Sequence, residues 1–177
     1  MKLFLNLLFA SGFLCAALAG SPVAAQPAPA KPIGEKQADE LLSAVVRVKA
    51  RALPDARSSA TLGAERAGSG VIIDERGYIL TIGYLVIEAD AIEITTAQGK
   101  TSPATLAGYD HATGFGLLRA TLPLDVKPID LGASAALAPR EPVLVAPHGG
   151  RDLVNLAYVV STRPFAGSWE YLLDSAI

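Results

Sequence analysis

One stretch, residues 68–86, limits what this chain can fold into more than any other. It contains two short β-rich runs, Val71–Ile73 and Tyr78–Thr81. The four residues between them, Asp74-Glu75-Arg76-Gly77, have the composition of a turn. This order predicts an antiparallel hairpin followed by a short bend. A hairpin alone identifies no function, so the other segments decide what the chain is.

Strand-sized segments recur on both sides of that hairpin. A valine-rich run comes before it and an alternating apolar and polar run comes after it, with turn residues between the segments. The pattern from Ala44 to Ala120 contains about six segments and predicts one small closed antiparallel barrel. We expect the polar residues Arg51–Arg66 to form a surface loop. The further strand segments are Ala44–Val48, Ala91–Thr96, Thr101–Gly108 and Phe115–Ala120.

The N-terminal residues predict export. Lys2 precedes an apolar run, and the small residues that follow offer cleavage after Ala19 or Ala25. We therefore expect a signal peptide over residues 1–25 and a periplasmic or secreted protein, with an uncleaved membrane anchor as the alternative. Residues 26–43 are interpreted as a Pro/Ala-rich linker followed by a short helix.

Composition argues against several classes of function. The single cysteine, Cys15, lies within the predicted signal peptide, so we expect the mature protein to have neither a disulfide nor a cysteine-based metal site. The formal net charge is −2, and no block of basic residues stands out. Nucleic acid and, after signal cleavage, membranes are therefore not expected as partners.

Residues 68–86 also resemble, in order and spacing, a segment of trypsin-like serine proteases of the HtrA/Deg type. In that family a Gly-Ser-Gly strand, a turn and a Tyr-Ile-Leu-Thr strand lead into Asn-Asn-His-Val-Val, which carries the catalytic histidine. The matching residues here are Ile82-Gly83-Tyr84-Leu85-Val86, so Tyr84 stands at the histidine position. A phenol titrates near pH ~10 and cannot replace an imidazole as a general base at neutral pH. We expect the tyrosine ring to fill the space that a histidine would occupy.

The resemblance implies a mainly β fold, the trypsin/chymotrypsin-like double β-barrel. Its first lobe corresponds to residues 44–126 and is expected to be complete. Strands over Val143–Ala146 and Asn155–Ser161 begin the second lobe, residues 127–177. That lobe is expected to be partial, because so few residues cannot form six strands of ordinary length.

The resemblance also places a glycine where the family has its catalytic aspartate. Residues 110–119 match the frame in which that aspartate starts the sixth strand, and Gly114 occupies its position. Glycine has no side chain with which to orient a base. Asp110 lies four residues earlier, about 13 Å away if the chain is extended there, and is a poor substitute.

The family's catalytic serine has no counterpart in the sequence. It follows a segment that Asp174-Ser175-Ala176-Ile177 resembles, so the chain ends before the expected serine. Ser69 corresponds to a non-catalytic serine of the family, and Ser168 is an equally poor replacement. We therefore expect no intact catalytic residue, only degenerate triad positions.

The remaining polar and aromatic candidates are given structural roles. His111 and His148 are interpreted as solvated loop residues, because a zinc site needs three or four ligands. Trp169 and Tyr171 are interpreted as packing in the second lobe rather than contacting a peptide. We expect no bound metal and no cofactor.

Together these features predict a trypsin-like serine protease homologue that is catalytically inactive. Its expected partners are peptides, unfolded protein or an active protease relative; the sequence does not indicate an oligomeric state. Two alternatives remain open. One is a divergent serine endopeptidase of the protein quality control type, whose full-length form retains the serine, and the other is a non-functional truncated fragment.

Overall fold

The computed structural model of the chain describes residues 34–167 and 172–177. The predicted signal peptide and most of the predicted linker lie outside the described residues, as do Ser168, Trp169 and Tyr171. The boundaries predicted for these N-terminal segments stay predictions. In the part of the chain that the structure describes, no helix has both the length and the apolar character needed to cross a membrane.

A short helix and six strands form the first part of the structure. The helix α1 spans Glu35–Ser43, as the sequence predicts, and runs directly into the first strand. The six strands are β1 (Val45–Ala52), β2 (Glu65–Ile72), β3 (Tyr78–Ile82), β4 (Ala89–Thr95), β5 (Thr101–Tyr109) and β6 (Phe115–Ala120).

These strands close into an antiparallel barrel in the order β1-β2-β3-β6-β5-β4. Closure comes from β1, which pairs with β2 through Val48 opposite Gly68 and with β4 through Val48 opposite Ile94. The six-stranded barrel expected from the sequence is therefore confirmed. It leaves the ends of β3 and β6 side by side, with Ile82 opposite Phe115.

Alternation along each strand fills the barrel. In β1, Val46, Val48 and Ala50 point inward and are at most 2% exposed, whereas the residues between them are exposed. Ile79 of β3 lies opposite Leu118 of β6, and both side chains are fully buried. Burial of such aliphatic side chains is the main stabilising term of the fold. The cluster consists of Val46, Val48, Ala50, Ile72, Ile79, Leu85, Val86, Ile92, Ile94, Leu118 and Leu124.

The turn between β2 and β3 has the chemistry that its sequence indicates. The Asp74 carboxylate accepts hydrogen bonds from the backbone N–H groups of Arg76 and Tyr78, each at 3.0 Å. Gly77 adopts a φ of +79°, a conformation that glycine takes without strain. The predicted hairpin is confirmed, and β2 begins earlier than its apolar run suggests.

The expectation of a long loop over Arg51–Arg66 is wrong at both ends. Strand β1 continues to Ala52 and β2 starts at Glu65. A short helix, α2 (Ser59–Leu62), lies between them. The alternating charges of Arg51, Glu65 and Arg66 belong to paired strands, with Arg51 opposite Glu65. Polar composition alone therefore assigns to a loop residues that pair between neighbouring strands of the barrel.

The second part of the structure consists of two separate hairpins. One pairs β7 (Pro142–Val145) with β8 (Asn155–Tyr158), and the other pairs β9 (Arg163–Ala166) with β10 (Leu172–Ala176). Many of their apolar side chains stay exposed, unlike those of the barrel. The structure thus contains one complete barrel and a partial second lobe, as the sequence predicts.

Candidate functional site

The ends of β3 and β6 bring together the two positions that the sequence singles out. The backbone N–H of Gly83 donates to the carbonyl oxygen of Gly114 at 2.7 Å. Tyr84 follows Gly83 in a single turn of 3₁₀ helix, Gly83–Leu85. Tyr84 and Gly114 therefore lie at neighbouring points of one site, although 30 positions separate them in the printed sequence.

Tyr84 is more open than expected. Its residue is 39% exposed, whereas Leu85 beside it is buried. A ring that filled a closed space left by a histidine would be covered on most sides. The structure instead presents the phenol at the surface of the site, where it is accessible to a partner.

The aromatic ring that packs against this turn is Tyr109, at the end of β5. A Cβ atom added to Gly83 would lie 2.3 Å from Cε2 of Tyr109 and 2.8 Å from the carbonyl oxygen of Gly114. Both distances are well inside van der Waals contact, so a side chain at position 83 would displace the ring or the backbone. Glycine at this position permits the close approach of β5 and β6 to the turn.

The loop before β6 is a compact turn rather than an extended segment. The Gly114 N–H donates to the carbonyl oxygen of Asp110 at 2.8 Å, and Gly114 has a φ of +73°. The expectation that Asp110 lies far from Gly114 is therefore wrong, because it assumed an extended chain. The Asp110 carboxylate nevertheless stays within its own loop, where it accepts hydrogen bonds from the Thr113 hydroxyl at 2.6 Å and the Ala112 N–H at 2.9 Å.

These hydrogen bonds predict how the loop responds to acid. Donation from the Thr113 hydroxyl, then from the Ala112 N–H, lowers the pKa of Asp110. Because the folded pKa is below the unfolded value, the ionised carboxylate stabilises the loop at neutral pH. This contribution is lost as the pH falls from about 4 through the folded pKa. An NMR titration of the Asp110 carboxyl carbon should give a midpoint below that of a free aspartate, and Thr113→Val should raise it. An unshifted midpoint would contradict the assignment.

Arg66 is a site residue that the sequence did not reveal. It is only 5% exposed, on β2, and its guanidinium donates to four acceptors. Two of these are the carbonyl oxygens of Tyr84, at 3.2 Å, and Ile87, at 2.7 Å. The others are the carbonyl oxygen of Gly63, at 3.0 Å, and the Ser58 hydroxyl, at 2.7 Å. Arg66 therefore joins two segments: the backbone around Tyr84 and the connection between β1 and β2.

Glu88 continues the same network on the other side of the turn. Its carboxylate accepts hydrogen bonds from the backbone N–H groups of Ser58, at 2.8 Å, and Arg57, at 3.3 Å. Hydrogen bonds from Ser58, side chain first and then backbone, lower the pKa of Glu88, and the nearby Arg66 charge adds to that effect. Glu88 has a φ of +52°, so this residue holds a backbone conformation that is uncommon outside glycine. The segment from Tyr84 to Glu88 is thus held by contacts from residues 57–66.

The other predicted candidates lie apart from this turn. The Ser69 hydroxyl accepts a hydrogen bond from the His148 N–H at 3.0 Å, which joins β2 to the loop after β7. The His111 ring lies 4.6 Å from the Tyr109 ring, centroid to centroid. Asp174 lies on β10. Within residues 34–167 and 172–177, no three or more histidine, cysteine or carboxylate side chains are grouped so that they could hold a metal ion.

The sequence model of the trypsin-like peptidase domain family matches residues 68–176 of this chain, which include the whole Tyr84–Gly114 site. The chain belongs to this family. Serine protease PepD of Mycobacterium tuberculosis is 30% identical over 175 residues, which cover 88% of this chain and 37% of PepD. Serine endoprotease DegS of Escherichia coli K12 is 38% identical over 76 residues, which cover 43% of this chain and 21% of DegS. The chain thus spans well under half the length of these relatives.

Solved structures agree with the trypsin-like fold. An HtrA-type protease, AlgW with tripeptide, has a TM-score of 0.57 and 21% sequence identity, and the match covers 70% of this chain and 38% of AlgW. A variant of AlgW with tripeptide has a TM-score of 0.60 and 20% identity, over 75% of this chain and 41% of that one. The mainly β architecture, with one closed barrel and a partial second lobe, is therefore that of an HtrA-type trypsin-like domain.

Proposed function

We propose that this trypsin-like domain is exported to the periplasm or secreted, has no proteolytic activity, and acts by binding. The expected ligands are peptides, unfolded protein or an active protease relative. The resemblance to HtrA/Deg proteases and the N-terminal sequence pattern support this assignment. Loss of catalysis and retention of binding are compatible, because a binding surface does not require the groups that transfer protons.

One observation carries the proposal. The residues that the resemblance places at the family's histidine and aspartate positions, Tyr84 and Gly114, lie at neighbouring points of one site. Triad catalysis needs a neutral imidazole held in one tautomer by a carboxylate. Tyr84 offers a phenol, Gly114 offers no side chain, and Asp110 is committed to its own loop. Without a base and its orienting group, residual activity is lower by several powers of ten.

The groups that do border this site suit binding. Tyr84 is 39% exposed and Phe115, at the start of β6, is 40% exposed. Aromatic side chains that remain accessible beside a site supply apolar contact area together with, in tyrosine, a hydrogen-bonding hydroxyl. We therefore expect peptides with apolar or aromatic residues to bind more tightly than polar ones.

Activity-based labelling tests the loss of catalysis. The longest product of the gene, and its Tyr84→His variant, should remain unlabelled by a fluorophosphonate and should not cleave fluorogenic peptides. The single substitution is insufficient because Gly114 still supplies no carboxylate. An active trypsin-like protease assayed alongside is the positive control. Labelling accompanied by peptide cleavage in the parent protein would refute the proposal, and the same result in Tyr84→His alone would show that the triad positions are wrongly placed.

A second candidate function is a divergent serine endopeptidase that uses a different base. The observation in its favour is His111, whose ring contacts Tyr109 at a tilt of 53°, and Tyr109 is the residue that packs on Gly83. This candidate predicts labelling of the longest gene product that His111→Ala abolishes and His148→Ala preserves. Labelling that is unaffected by His111→Ala would exclude His111 as that base.

A further inference from the structure

The outer face of β1 borders a concave region that is separate from the Tyr84–Gly114 site. It is a groove of about 300 Å³ between the face formed by β1 and β4 and the loop that follows β7. We call it the Arg47 groove. Its polar lining consists of Arg47, Thr95 and Thr96 on one side and of His148, Gly149 and Gly150 on the loop.

The strand register places the polar side chains of this groove in one row. Arg47 lies directly opposite Ser69 of β2 and directly opposite Thr95 of β4. Residues that are opposite each other in antiparallel strands share a face of the sheet. The Ser69 hydroxyl also accepts a hydrogen bond from the backbone N–H of His148 at 3.0 Å, so the row is joined to the loop that forms the other wall.

The groove carries positive charge and hydrogen-bond donors without a balancing acid. None of the residues that line it is acidic. Within the described residues, the Arg47 guanidinium has neither a carboxylate within salt-bridge distance nor a hydrogen-bond acceptor, whereas Arg51, four residues further along β1, is paired with Asp90. An arginine left unpaired beside a concave surface keeps its planar fork of donors available to a ligand.

The loop wall adds further donors. Gly149 and Gly150 have φ values of +120° and +89°, and their N–H groups donate to no acceptor among the described residues. The His148 imidazole and the Thr95 hydroxyl are also able to donate. Backbone N–H groups without an acceptor and an unpaired arginine are donors that oxyanion sites in proteins use.

We propose that the Arg47 groove binds an oxyanion, supplied either by a carboxylate of an acidic peptide or by free phosphate. The guanidinium pairs with two oxygens of the anion, and the loop N–H groups and imidazole donate to the remaining oxygen lone pairs. No carboxylate lining the groove would oppose the anion. The site is separate from Tyr84 and Gly114, so it does not depend on whether the domain is catalytically active.

NMR titration of the purified chain tests this site with two probes. Inorganic phosphate and an acetylated Asp/Glu hexapeptide should each shift the amide signals of Gly149 and Gly150 saturably, and the matching Asn/Gln hexapeptide should not. Arg47→Gln should weaken binding about tenfold or more, because hydrogen bonds to charged groups are lost. Arg163→Gln removes the same charge from an exposed position on β9, outside the groove, and should leave the affinity unchanged.

Each outcome of the titration has a defined meaning. Tighter binding of the acidic hexapeptide identifies a peptide carboxylate as the source of the oxyanion, and tighter binding of phosphate identifies the free anion. Either result supports the site. Absence of a saturable shift with both probes, or equal weakening by Arg47→Gln and Arg163→Gln, overturns the proposal, because the second result would reflect only general charge attraction. These outcomes do not depend on the labelling experiment, because a domain found to be proteolytically active would give the same titration result.

Discussion

Replacement of Arg66 with methionine is expected to lower the free energy of unfolding by about 2 to 4 kcal/mol. Methionine keeps much of the length of the side chain but donates no hydrogen bonds. The carbonyl oxygens of Tyr84, Ile87 and Gly63 would then lose the donors that the buried guanidinium supplies. Replacing a buried ion pair by apolar residues is often tolerated. Here the acceptors are backbone groups, which no compensating substitution removes.

Urea unfolding followed by circular dichroism measures this loss, and amide hydrogen exchange locates it. Exchange should accelerate most in residues 83–88, where two of the three released carbonyl groups lie. Arg51→Met is the matched control, because Arg51 makes an exposed ion pair with Asp90 at 3.0 Å and such pairs contribute about 0–1 kcal/mol. If Arg66→Met and Arg51→Met unfolded at the same urea concentration as the parent, Arg66 would have no structural role.

Replacement of Leu118 with alanine is expected to cost about 2 to 5 kcal/mol. Leu118 is fully buried on β6, opposite Ile79 of β3 and next to β5, so its removal leaves a cavity that three strands border. The barrel is closed, and its strands cannot move inward independently to fill that space. The cost should therefore fall toward the upper part of this range.

The neighbouring strand provides a matched control for this change. Leu106 of β5 is the registered partner of Leu118, yet it is 46% exposed, and a bulge follows it. Leu106→Ala removes the same atoms from an exposed position and should cost less than about 1 kcal/mol. Equal effects of the two substitutions in urea unfolding would mean that Leu118 is not part of the barrel core.

The sequence predicts the barrel well because the relevant signals are local. Alternation over Ala91–Thr96, the turn residues of Asp74–Gly77 and the valine-rich start of β1 each specify one element within a few positions. The resemblance then orders these elements, since residues 68–86 match the family along the chain. The fold class and the number of barrel strands followed from these short segments without knowledge of contacts between distant residues.

The candidate site was only partly predictable, because its contacts join distant residues. Tyr84 and Gly114 were found by position in a motif. Arg66 was assigned to a surface loop, since a charged residue beside polar neighbours is usually solvated. Its burial depends on carbonyl oxygens 18 and 21 positions away, and no local pattern encodes them. Asp110 was misplaced for a related reason, because the turn that returns the chain to Gly114 depends on the positive φ of that glycine.

The contrast between a closed barrel and two separate hairpins implies two levels of local stability in one domain. A barrel strand can lose its hydrogen bonds only if neighbouring strands on both sides also open, so amides of β1 to β6 should exchange mainly through global unfolding. Each hairpin of the second lobe has one pairing to break and exposed apolar side chains. Those hairpins can open without the barrel, and the loop wall of the Arg47 groove belongs to the part that opens first. Ligand bound in that groove would therefore slow hydrogen exchange in β7 and β8 while leaving the barrel unchanged.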